Sequence, residues 1–125
     1  MKKIVIRFNA PVILSFALLS LIALLLGNWT NGATTYQYFS VYRASLSDPL
    51  TYVRFFGHVL GHADYEHYMS NMLLILLVGP GLEEKSGSRN LLATIAVTAF
   101  ATGLVQFLLF PHSALLGASG IVFML

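Results

Sequence analysis

His58–Val78, HVLGHADYEHYMSNMLLILLV, decides how the chain is read. Its first two thirds carry His58, His62, His67, Asp64, Glu66 and Asn71, and its last third is uninterrupted hydrocarbon from Met72 to Val78. Polar groups that lead into a greasy helix are costly to desolvate, so their position calls for a chemical reason. His67 and Asn71 stand four apart and share one face of a helix. Both carry side-chain hydrogen-bond donors, which aimed at one point can stabilise a developing oxyanion. The plainer alternative is that they tie helices together. His58 and His62 repeat the four-residue spacing and with His67 would make a three-histidine metal site conceivable. No HExxH glutamate or cysteine accompanies them, so bracing the start of the helix is the preferred role and no metal is assigned.

Composition sets the solvent. The 125 residues are 57% hydrophobic and only 10% charged, where a soluble domain carries about a quarter charged residues. That points to an all-α membrane protein, a polytopic helical bundle with the lipid bilayer as its surroundings. Without cysteine there is neither a disulfide framework nor a thiolate metal site. A net charge of +2 with no Lys/Arg run gives no reason to invoke nucleic acid.

Outward from the opening stretch, apolar runs at residues 8–27, 65–82 and 90–110 read as three complete spans, each near the 20 residues or so a bilayer demands. Leu91–Phe110 is the clearest, with twenty residues and no charge. Its Ala99 and Gly103 have the spacing that lets helices pack closely. Lys2 and Lys3 would also suit a cleaved signal peptide, but GNWTNGATT offers no clean cleavage site, so an uncleaved anchor is expected. Asn28-Trp29-Thr30 matches a glycosylation sequon, a weak signal by itself. Residues 28–64, rich in Trp29, Tyr36, Tyr38, Phe39 and Tyr42, read as a loop lying against the membrane. Pro80-Gly81 loosens the second span, and residues 83–89 form a charged turn. From Ala118 a fourth span starts, and its eight residues to Leu125 are too few to cross. Residues 1–125 are therefore expected to be the N-terminal part of a larger membrane domain. Lys2, Lys3 and Arg7 put the N-terminus in the cytoplasm, which leaves His67 and Ser119 near the same outer side. A multi-pass protein of a prokaryotic plasma membrane is the expected setting.

Ser119 lies in Gly117-Ala118-Ser119-Gly120. Flanking glycines let a peptide backbone approach its hydroxyl, and a helix start offers free N–H groups to an anion. Alone, GASG is as easily a packing patch of small residues.

Taken together, the chain resembles the rhomboid family of intramembrane serine proteases. The matching residues are Arg54-Phe55-Phe56, His58, His62, His67, Asn71-Met72, Gly79-Pro80, Leu82-Glu83, Gly87-Ser88 and GASGIVF from Gly117 to Phe123, in order and at the right spacing over about residues 50–125. Val53 departs from the aromatic that many members carry there. The resemblance implies a partial rhomboid domain over residues 1–125, with Ser119 the catalytic nucleophile. It implies His67 and Asn71 as oxyanion-hole side chains aided by the Ser119 N–H, Gly117 and Gly120 as motif glycines, and structural roles for His58 and His62. It implies no cofactor, and transmembrane protein substrates as partners. It also implies a Ser/His dyad whose histidine base sits on a later helix, and His112 is not its match. A serine needs such a base at neutral pH, so the 125 residues alone are expected to be inactive and the intact protein to be a protease. The alternative is a rhomboid-like protein that binds transmembrane segments without cutting them. Oligomeric state is left open.

Overall fold

The computed structural model describes residues 10–125, and every statement of structure below concerns those residues. The basic start with Lys2, Lys3 and Arg7, and the orientation read from it, lie outside them. Six helices follow in order: α1 (Pro11–Trp29), α2 (Ala33–Tyr38), α3 (Pro49–Gly57), α4 (Tyr65–Ser86), α5 (Ser88–Leu109) and α6 (Ser119–Met124). The only β pairing among the described residues is an isolated antiparallel bridge between Val41 and Leu115.

α1 begins with Pro11, whose fixed φ and missing N–H suit a first turn. Ala10 provides no side-chain cap. The carboxylate of Glu83, on α4, caps α1 instead, accepting from the N–H groups of Val12 and Ile13 at 2.9 Å each. Ser88 Oγ donates to the same carboxylate at 2.6 Å. A buried anion at a helix N-terminus is favoured by both the free N–H groups and the helix dipole.

α4 lies along α1. Gly79 makes the crossing possible, because a Cβ there would come within 2.6 Å of Ile13 Cδ1. Ile13 and Ile75 are fully buried at this contact, and Tyr68 Oη donates across it to the Ala17 carbonyl at 2.9 Å. α5 packs on α3, with Gly103 against the Phe55 backbone and Phe55 edge-on to Phe107. The small-residue stripe of α5 is thus used against the α3 segment rather than against another long helix.

One expectation is left unconfirmed and two are corrected. α1 and α5, with mean hydropathies of 2.2 and 1.9, are the two described helices long and apolar enough to cross a membrane. α4 is as long as α5 but bears Glu66, His67 and Asn71 at one end and Glu83, Glu84 and Lys85 at the other. The count of three complete spans is therefore not reproduced. Residues 28–64 are not one loop but contain α2 and α3. α3 opens on an Asp48 cap that accepts from Leu50 N at 3.0 Å, and the stack of Tyr36 on Tyr42, 4.5 Å between ring centroids, packs α2 onto the chain that follows it. α4 also runs past Pro80 and Gly81 to Ser86, since Glu83 near its end is anchored to α1, and the turn shrinks to Gly87 at φ +90°.

Two arginines brace the segment between α2 and α3. Arg43 caps the end of α5, with Nε and Nη2 donating to the carbonyls of Phe107 and Leu108 at 3.0 and 2.7 Å. The buried Arg54 donates to the Gln37 carbonyl at 2.9 Å and lies over the Tyr42 ring at 4.6 Å.

Candidate active site

The loop from His58 to Asp64 joins α3 to α4 and sets up everything around it. His58 is 1% exposed. Its Nε2 donates to the Ala99 carbonyl on α5 at 2.8 Å, since a carbonyl can only accept. Its own carbonyl accepts from Gly117 N at 2.8 Å, which pins the start of the GASG turn to this loop. Burial lowers the His58 pKa. His62 donates from Nδ1 to the Leu60 carbonyl at 3.3 Å. Its pKa is lowered to about 4, chiefly by burial and further by His67.

His67 enters on the first turn of α4. The Asp64 carboxylate caps that turn by accepting from His67 N at 2.8 Å. The ring is fixed from two sides. His62 meets it edge-on at 5.0 Å, and Ala63 N donates to its Nδ1 at 3.4 Å. A backbone N–H can only donate, so in the neutral ring Nδ1 is the acceptor and Nε2 carries the proton. That Nε2 edge faces Gly117, where a Cβ would stand 2.9 Å from Nε2 and 2.7 Å from Cε1. Gly117 has φ +113°, a conformation side chains avoid. Glycine is required there twice, for its backbone and for the imidazole beside it.

Asn71 follows one turn along α4. It is 7% exposed, and its Nδ2 is buried with no hydrogen-bond partner among the described residues. α4 packs against α6, which Ser119 begins. As the first residue of that helix, Ser119 has an N–H with no intrahelical acceptor, and its side chain is exposed. Gly120 rests against Thr102 of α5, at an ordinary 3.4 Å from Cγ2. Of the residues singled out in the sequence, His67 is thus brought against Gly117 and Gly120 against α5, while Asn71 and Ser119 stand on the packed helices α4 and α6. His58 spends Nε2 on α5, and the described residues contain no metal-holding group of three histidine or carboxylate side chains. His112 sits in the exposed loop before the turn.

Sequence reasoning missed the supports. The bridge of Val41 to Leu115, with both N–H···O bonds at 2.9 Å, holds the turn two residues before Gly117. Gln106 on α5 donates to the Ser113 carbonyl at 3.1 Å and its Oγ at 2.8 Å, fixing the loop ahead of it. A lone amide in an apolar helix was the signal for Gln106; Val41 carries none.

The Rhomboid domain family matches residues 49–125. Rhomboid-like protein 11, chloroplastic, of Arabidopsis thaliana is 35% identical over 63 residues, covering 50% of this chain. The chain spans only 22% of that relative's length. A match over well over half of the chain, on a helical fold with two helices long and apolar enough to cross a membrane, shows that it belongs to the rhomboid family.

Proposed function

We propose that the chain is the nucleophile-bearing part of an intramembrane serine endopeptidase that cleaves transmembrane segments of other proteins. Ser119 Oγ attacks the scissile carbonyl. The charge that develops on the carbonyl oxygen is received by His67 Nε2–H, Asn71 Nδ2 and the Ser119 N–H. A histidine from a later helix of the intact protein takes the hydroxyl proton and returns it to the leaving amine, and water then releases the acyl group. No cofactor takes part. α4 serves as a third span in this reading, and Lys85 and Arg89, beside Gly87, mark the cytoplasmic side together with the N-terminus. The site then faces the outer side of a prokaryotic plasma membrane.

The observation that carries the proposal is the placing of two unspent donors. His67 presents Nε2 to Gly117, two residues before Ser119, and Asn71 holds a buried Nδ2 with no partner one turn on. A pair that only glued helices together would have spent these groups on a neighbour. The test is labelling of the intact protein in membranes by a fluorophosphonate, which attacks activated serines. Labelling lost in Ser119→Ala supports the proposal, and labelling unchanged in that variant refutes it. Absence of labelling alongside retained binding of a transmembrane peptide establishes the other reading, a non-catalytic rhomboid-like protein.

A further inference from the structure

His62 carries an unanswered lone pair. It is 2% exposed. Its Nδ1–H is committed to the Leu60 carbonyl at 3.3 Å, which leaves Nε2 as a bare acceptor, buried without a partner. An unmet buried acceptor is costly, so a donor belongs there. The neighbouring groups are taken. Tyr68 Oη points to Ala17, and the Nε2 edge of His67 faces Gly117.

His62 also lines a cavity of about 430 Å³ between the end of α1, α2 and the loops, together with Asn28, Thr35, Ser40, Ala63 and Leu116. A water occupies about 30 Å³ and needs two to four polar partners to be held. This cavity has room for several, and Asn28, Thr35 and Ser40 among its lining residues offer polar partners. Its walls carry no charged side chain, so its occupant is small and neutral, and a donor that reaches Nε2 from this side has water's chemistry.

We propose that this cavity is a hydration site whose innermost water donates to His62 Nε2, and that His62 is a positioning residue for His67. The water fixes the plane of the His62 ring, and that ring meets His67 edge-on at 5.0 Å with 68° between the planes. His67 in turn is the side chain against Gly117. The positioning half rests on the proteolytic reading above; the hydration half does not.

Two measurements on the intact protein in nanodiscs separate the halves. Radiolytic hydroxyl-radical footprinting reads bound water directly. Leu24 lines the cavity although it is 2% exposed, whereas Ile13 is 0% exposed and does not line it. Oxidation of Leu24 well above Ile13, suppressed when Asn28→Trp plugs the cavity, is expected. Leu24 as inert as Ile13 overturns the hydration site. For positioning, His62→Gln keeps an acceptor near Nε2, and His62→Asn keeps only the donor near Nδ1. The cleavage rate is expected to fall about 10-fold or more in His62→Asn and to stay within about 3-fold of wild type in His62→Gln, since small misplacements are amplified at a reacting centre. Melting temperatures are expected to fall alike in both. Equal activity in the two variants, whether retained or lost, refutes positioning. A wild-type protein that neither labels nor cleaves takes the positioning half down with the proteolytic reading and leaves footprinting to judge the cavity.

Discussion

Replacing Gly117 by alanine puts a methyl group where the structure has least room for one. The residue sits at φ +113°, and holding a non-glycine residue in such a region costs about 1–3 kcal/mol. The new Cβ would also stand 2.7 Å from His67 Cε1 and 2.9 Å from Nε2. Ordinary carbon contacts begin near 3.5 Å, so the ring must retreat by about 0.8 Å or the turn must shift. Overpacking of this kind costs about 1–3 kcal/mol, for a total of about 2–6 kcal/mol. Because His67 is only half-buried, the ring can swing outward and relieve part of the strain, at the expense of its place against the GASG turn. A displacement of about 1 Å at a reacting centre lowers rate by about 100-fold. Gly120→Ala is the control. Its φ is not positive, its Cβ would meet Thr102 Cγ2 at an ordinary 3.4 Å, and alanine in a helix gains up to about 1 kcal/mol over glycine. Thermal unfolding and the rate of fluorophosphonate labelling, measured on the intact protein carrying each substitution, should separate them clearly. Gly117→Ala that labels and melts like Gly120→Ala would refute the claim that His67 packs on the GASG turn.

Three further outcomes are expected. Glu83→Ala removes a buried carboxylate that caps α1 from α4; charged hydrogen bonds contribute about 1.5–3 kcal/mol each, so with two of them lost denaturant unfolding should show a loss of about 3–6 kcal/mol, and a loss below about 1 kcal/mol, as at an exposed site, would contradict the capping role. His62, held at about 4 by burial and by His67, titrates near 6.5 in the unfolded chain. Between these values the unfolded state takes up a proton that the fold refuses, so stability should fall as pH drops from about 6.5 toward 4, by about 3 kcal/mol. His62→Gln should reduce the slope in that window in a pH series of unfolding curves, leaving the part due to the buried His58, and an unchanged slope would rule His62 out as a source. Asn71→Ala should lower the chemical step by about 100- to 1000-fold, as removal of an oxyanion donor does. With Nδ2 unpartnered in the fold, it should leave unfolding nearly unchanged, and a large stability loss with a modest rate loss would instead make Asn71 a helix tie.

What the sequence revealed was what is written locally. Leu91–Phe110 and the run after Pro11 are uncharged and mostly apolar, and hydrophobic transfer acts on composition, so α1 and α5 could be read off. His67 and Asn71 share a face by helix geometry alone. α2 was hidden because ATTYQY carries no helical apolar period; it depends on Thr30, whose Oγ1 accepts from Thr34 N at 3.2 Å, and on the ring stack of Tyr36. α3 did have a local signature, Asp48-Pro49, which the aromatic character of the segment masked. Glu83 looked like one more charge in a surface turn, because its partners, Val12 and Ile13, lie some 70 residues away. The same distance problem hid Gly117. Its glycine was explained by substrate approach to Ser119, whereas the fold also needs it for the ring of His67. The role of α4 blurred for a different reason: its ends are polar enough to carry the site and the α1 cap, which dilutes the hydropathy that marks a span.

The role proposed for Ser119, a nucleophile in a membrane-embedded site, is tested most directly by cleavage of a transmembrane reporter by the intact protein in proteoliposomes. The expected result is a product cut within or beside the reporter's apolar segment, with the rate at background in Ser119→Ala. Cleavage by Ser119→Ala at the wild-type rate would contradict it.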